Sequence, residues 1–105
     1  MKRRVIIRDV ADAEIDQIAR SIARHDLSAG LRFYDAIEES CKLLARFPRL
    51  GRRRIAKDPA LRELRSWLVK GFRNYLIFYL PLKSGVEVLH VVHGARDLGQ
   101  LLGVE

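Results

Sequence analysis

The chain has 105 residues, 49% of them apolar and 31% charged, with a net charge of +7 and a pI near 10.2. That length and apolar fraction fit one domain, residues 1–105, with a core of its own, and exclude an extended disordered tract. A lone Cys41 excludes an intramolecular disulfide, no Cys/His cluster has zinc-ligand spacing, and the apolar run from Val5 to Ile7 is too short for a signal peptide or a membrane span, which points to the cytoplasm.

Arg4 to Arg8 is short and β-branched, a first strand. Asp9 reads as the N-cap of a helix, with Asp12 in its first turn to suit the helix dipole. Ala11, Ile15, Ile18 and Ile22 recur at helical spacing beside Ala19, while Asp16, Gln17, Arg20 and Arg24 take the other face; the helix should reach about His25. Ser28 is the expected cap of a second helix with the stripe Phe33, Ile37, Cys41 and Leu44, flanked by Tyr34 and ended by Pro48 and Gly51. The link Asp26-Leu27 is so short that the two helices form an antiparallel hairpin. Cys41, on the apolar stripe, reads as a small buried hydrophobe rather than a nucleophile.

The charge then concentrates. Arg46 to Arg73 holds ten basic residues against Asp58 and Glu63, a surplus larger than that of the whole chain. Such a zone favours a phosphate-rich or acidic protein partner. Within it, Arg49 to Ala60 is expected to be a basic loop turning at Asp58-Pro59.

Three strands should follow. Leu61 to Leu68 places Leu64 and Leu68 on one face, Arg65 and Trp67 on the other. After a turn at Lys70-Gly71, Arg73 to Leu80 puts Leu76, Phe78 and Leu80 on one side and Arg73, Tyr75, Ile77 and Tyr79 on the other. Pro81 to Gly85 closes a hairpin, Gly85 suiting a positive φ, and Val86 to Val92 is the last strand. A short helix is expected from Asp97, with Gln100 at the capping-box position and Leu98, Leu101 and Leu102 packing back. The order β-α-α-β-β-β(-α) makes an α+β domain, a helix hairpin on one face of a mostly antiparallel sheet. The opposite face would carry Arg65, Arg73, Tyr75 and Tyr79.

The stretch HVVHGARD, His90 to Asp97, is a compact polar knot at the end of an apolar strand. His90 and His93 are three apart, so they point to opposite faces and do not chelate one ion; no metal is expected. RNA cleavage needs a base, an acid and cations. Arg65, Arg73 and Arg96 could supply charge, and His93 a base or acid, but no carboxylate or lysine is fixed beside His93 by spacing. Tyr75, Tyr79 and Trp67 beside arginines could stack on bases, although no nucleic-acid-binding signature accompanies them.

The ordered set formed by FPRLGRRR, LRELRSWLVKGFRNYLIFYL and VEVLHVVHGARDLGQLL resembles the ParE/RelE toxin superfamily of bacterial type II toxin–antitoxin modules, over nearly the whole chain. RelE-like members cleave mRNA on the ribosome. Their set resembles a lysine pair on the strand before the turn, the arginine of a Gly-aromatic-Arg element, an arginine after the last strand and a C-terminal tyrosine. Arg73 and Arg96 match the two arginines, and a ribonuclease here would rest on Arg73, His93 and Arg96. The lysine pair is absent from Leu61 to Leu68, LGQLLGVE contains no tyrosine, and arginine is a poor general base because it stays protonated.

The ParE-like branch lacks that set and poisons DNA gyrase, without cofactor or metal. The resemblance therefore implies a non-enzymatic growth-arresting toxin. Its partners would be gyrase and a cognate antitoxin, ParD-like with a ribbon-helix-helix or similar DNA-binding domain. The antitoxin's acidic tail would fold over the toxin, and operator DNA would be reached only through it. Candidate partner-binding residues are Arg53 and Arg54, chosen for charge, with Arg65, Arg73, Tyr75 and Arg96. A ribosome-dependent endoribonuclease and a degenerate, non-toxic antitoxin-binding module are the alternatives. In the knot, Gly94 would let the chain turn sharply, Arg96 would project, and Asp97 would start the last helix.

Overall fold

Two amphipathic helices account for half of the core. In the computed structural model, which describes residues 3–98, α1 spans Asp9–Ala23 and α2 spans Leu27–Arg46. They bury the expected stripes, Ala11, Ile15, Ile18 and Ala19 from one and Phe33, Ile37, Cys41 and Leu44 from the other. Their starts differ from expectation by one or two residues. Arg8 occupies the α1 N-cap position without a side-chain cap, so Asp9 is the first helical residue and acts through the dipole alone. Asp26, not Ser28, caps α2, its carboxylate accepting from the Ala29 N–H at 3.1 Å, while Ser28 accepts from the Arg32 guanidinium at 2.8 Å.

Among the described residues, the strands are β1 Arg4–Ile7, β2 Arg52–Arg53, β3 Arg65–Val69, β4 Phe72–Leu82 and β5 Gly85–His93, in the sheet order β1-β5-β4-β3-β2. Every pairing is antiparallel except β1 with β5, which is parallel. The α+β class, with helices on a mostly antiparallel sheet, is as expected. The strand β2, inside the expected loop, is an addition, and Pro59–Leu61 forms a 3-10 turn capped by Asp58. Gly71 takes the positive φ of 82° that its two-residue turn requires. Gly85 takes a φ of 147°, and a Cβ there would overlap the Arg4 carbonyl oxygen where β1 meets β5.

The sheet faces are the reverse of the expectation. Ile77 and Tyr79, with Val69, Val86, Val88 and Val91, are buried against the helices, and Trp67, Phe72 and Tyr75 pack beside them. Phe33 of α2 meets Phe72 and Tyr75 edge-to-face at 5.2 and 5.5 Å. The opposite face is apolar too. Leu64, Leu76, Phe78, Leu89 and Val92 form a second cluster, covered by Ala56, Leu61, Leu80 and Leu98. Two-residue periodicity separates the faces but does not say which one meets the helices. Here both are buried, and the bulkier aromatic row fills the gap under α2.

The third helix among the described residues, α3, spans Gly94–Asp97 and starts three residues earlier than expected. Gly94 has no positive φ. Its place follows from space, since a Cβ would lie 3.0 Å from Leu76 Cδ1. Gln100, Leu101 and Leu102 lie outside the described residues.

Candidate functional site

The knot at the end of β5 is a reciprocal cap. His93 Nδ1 accepts from the Arg96 N–H at 3.0 Å, and Asp97 returns a carboxylate oxygen to the His93 N–H at 3.2 Å. This is the logic of a capping box built from unusual residues, a histidine where serine or threonine ordinarily stands. The bond from Arg96 requires an unprotonated Nδ1, which leaves the neutral ring's proton on Nε2. Arg96 then folds onto Asp97, Nε to Oδ1 at 3.1 Å. That bond holds the Asp97 carboxyl below its usual range and raises the Arg96 guanidinium further. The His93 ring packs edge-to-face on Tyr75 at 5.3 Å, which joins the knot to Phe33 and the main core.

His90 is engaged separately. β1 ends at Ile7, so among the described residues that edge of β5 has no strand neighbour beyond Val88. Glu14 of α1 fills that gap, accepting from the Val91 N–H at 3.0 Å and facing His90 Nδ1 at 3.2 Å. Sequence reading missed Glu14. The available signal was position: it falls between Ala11 and Ile18 on the buried side of α1, where a carboxylate needs a partner. Among the described residues no group of three or more His, Cys, Asp or Glu gathers at metal-binding separations. Burial pushes the Cys41 thiol up to about 11, so it carries no thiolate at neutral pH.

A cleft of about 580 Å³ opens beside the knot, lined by Glu14, Ser21, Arg24, Tyr75 and Arg96 among others. Arg73 does not line it. It is exposed at the start of β4 and opens on a second cleft, of about 430 Å³, between α2 and the β3–β4 turn. Among the described residues, neither of these two clefts gathers Arg73, His93 and Arg96 together.

The remaining candidates cluster at the far edge of the sheet. Arg65 donates to the carbonyls of Arg49 and Gly51 at 3.0 and 2.7 Å. The buried Tyr79 hydroxyl donates to the Pro48 carbonyl at 2.8 Å and accepts from the Gly51 N–H at 2.9 Å. Together they strap the end of α2 to the sheet, so the Arg65 cation is spent largely on backbone. Arg54 lies over the Phe78 ring at 5.7 Å and donates to Ser66 Oγ at 2.7 Å. Burial, and then its neighbour Arg52, lower its pKa. Arg53 reaches the Arg62 carbonyl at 2.5 Å and Glu63 at 3.7 Å.

No curated protein sequence matches the chain. Residues 5–98 match the family model described as the ParE toxin of the type II toxin-antitoxin system parDE.

Proposed function

The chain belongs to the ParE toxin family of type II toxin–antitoxin systems, and from that membership we propose that it arrests growth by poisoning DNA gyrase and has no catalytic centre of its own. Membership implies a cognate antitoxin as partner. The finer identity of that antitoxin, ParD-like with an acidic tail and a ribbon-helix-helix domain through which operator DNA is reached, belongs to the same proposal. So do action in the cytoplasm and a role in plasmid stabilisation.

The observation that carries this reading is the dispersal of the ribonuclease set. His93 Nδ1 is committed to capping α3, Arg96 is bound to Asp97, and Arg73 opens on another cleft. Phosphodiester cleavage needs acid, base and cation around one phosphate, with reacting groups at hydrogen-bond reach. Inhibition by binding requires no such convergence.

The test is a supercoiling assay with purified gyrase, plasmid and the folded chain. Dose-dependent loss of supercoiling, with accumulation of cleaved DNA that the antitoxin prevents, is the expected result. Unchanged supercoiling at large molar excess, together with codon-phased mRNA cuts in a translating extract, would replace it with the ribonuclease reading. Normal growth on inducing folded protein would mark a non-toxic antitoxin-binding module.

A further inference from the structure

β2 is the outermost strand on its side of the sheet among the described residues, and three consecutive arginines, Arg52 to Arg54, run through it. They do not share one task. Arg53 is turned onto the Arg62 carbonyl and Glu63, and Arg54 lies over Phe78 and donates to Ser66. Arg52, paired in register with Ser66, stays exposed and forms no ion pair among the described residues. Lys57 and Arg62, on the segment that follows, are in the same position. That segment is pinned. The Arg54 N–H donates to the Leu64 carbonyl at 2.9 Å, and Asp58 accepts from the Ala60 N–H at 2.9 Å. Lys70, four residues beyond Ser66 along β3, extends the row of cations by roughly 13 Å.

Two observations bear on what the row meets. The acids of the segment are already engaged, Asp58 in the turn and Glu63 between Arg49 and Arg53, so neither answers Arg52, Lys57 or Arg62. Arg52 also weighs on Arg54, whose pKa is lowered by burial and then by that neighbour, and an external anion relieves the crowding. The second observation is Ile55. It is 71% exposed, the most open large apolar side chain among the described residues, and it follows the three arginines directly. An acidic protein would draw its affinity from a cluster of apolar anchors, and this segment offers one isoleucine. A duplex needs no such cluster, because its affinity comes from released counterions. A lone aliphatic side chain beside cations suits the wall of a DNA groove.

We propose that the β2 edge and the segment after it bind duplex DNA without regard to sequence, with Arg52, Lys57, Arg62 and Lys70 against phosphates and Ile55 against a groove wall. The inference rests on the gyrase reading for the place where DNA is met, the duplex that gyrase holds, and adds a direct contact between the chain and that DNA.

The full-length chain is titrated into a labelled duplex of random sequence, and anisotropy is read over a range of NaCl concentrations. Poly-glutamate and an RNA of the same length are the comparison probes. The variants are Arg52→Ala with Arg62→Ala, Ile55→Ser, and a control that removes the same charge elsewhere, Arg20→Ala with Arg24→Ala. The control residues lie on α1, a helix packed over β5, three strands from β2. All five positions are exposed, which preserves folding. Expected for the Arg52 and Arg62 pair is a loss of about tenfold or more at 0.1 M salt and a salt slope shallower by about 1.8, roughly 0.9 for each phosphate contact removed. Ile55→Ser should lose about threefold or more with the slope unchanged, because an apolar contact releases no counterion. The control pair should leave the slope near that of the wild type.

Equal slopes in the two arginine pairs would mean that only net charge is felt, and would overturn the assignment to this edge. Tighter binding to poly-glutamate or to RNA, with the same sensitivity to the Arg52 and Arg62 pair, would give the edge to an acidic protein or to RNA and overturn the proposal as well. The supercoiling assay separates this inference from the reading beneath it. A wild-type chain that traps cleaved DNA, with the Arg52 and Arg62 pair trapping it at the same dose, would sink the DNA contact and keep the gyrase reading. A wild-type chain that leaves gyrase untouched but binds duplex with the expected slopes would remove the gyrase reading and uphold the contact.

Discussion

Tyr79 shows how one hydroxyl controls a stretch of backbone. Its ring is fully buried under the helices, and its oxygen both donates to Pro48 and accepts from Gly51. Tyr79→Phe keeps the ring and its packing but leaves the buried Gly51 N–H without its acceptor and the Pro48 carbonyl without its donor. An unmatched buried donor costs about 1–3 kcal/mol, so the variant should lower the urea midpoint by that equivalent with an unchanged slope. Tyr34→Phe is the control. Tyr34 donates to Asp16 at 2.8 Å on the exposed face of the helix hairpin, where water replaces the lost bond, and its midpoint should barely move. From sequence, Tyr79 was readable as a strand residue paired in orientation with Tyr75 and Ile77. Its burial was not, because a tyrosine enters a core only if its hydroxyl finds a partner, and that partner lies 31 residues away at Pro48.

At the scale of elements, legibility followed periodicity. Both long helices were placed within two residues because their stripes repeat at 3.6 over many turns. β2 was not visible, since Arg52 and Arg53 carry no alternation and become a strand only by pairing with Ser66 and Arg65. The start of α3 was missed because His93 is outside the usual capping set and Asp97 is more often a cap than the residue that answers one. That answering role makes α3 sensitive to acid. The Asp97 carboxyl is held below its usual range, first by the Arg96 hydrogen bond and also by the His93 N–H. A lowered folded-state pKa means that the contribution is complete above the ordinary carboxylate value of about 3.9 and is lost as pH falls through the lower one. NMR titration should show the His93 amide resonance, whose N–H donates to Asp97, moving through that acidic window. In Asp97→Asn the movement in that window should vanish, because the carboxyl that drives it is gone.

Across the whole molecule the charge is lopsided, and the fold keeps it so. Of the two acidic residues in the basic segment, Asp58 is used to cap the 3-10 turn and Glu63 is shared between Arg49 and Arg53. Arg52, Lys57, Arg62, Lys70 and Arg73 are exposed and form no ion pair among the described residues. This surplus was legible from composition by segment. That it runs along the β2–β3 edge and ends beside the β3–β4 turn was not, because it depends on which strand lies outermost. Exposed cations contribute little to a docked complex but raise the rate at which an oppositely charged partner arrives. The association rate with an acidic antitoxin should therefore fall about tenfold or more between 0.05 and 0.5 M NaCl, as screening shortens the reach of the field, while the dissociation rate changes far less. Stopped-flow mixing and dilution separate the two constants. Arg52→Ala with Arg62→Ala should flatten the salt dependence of association and leave dissociation alone. An association rate indifferent to salt would mean that the encounter avoids the basic edge and that its charge serves another partner.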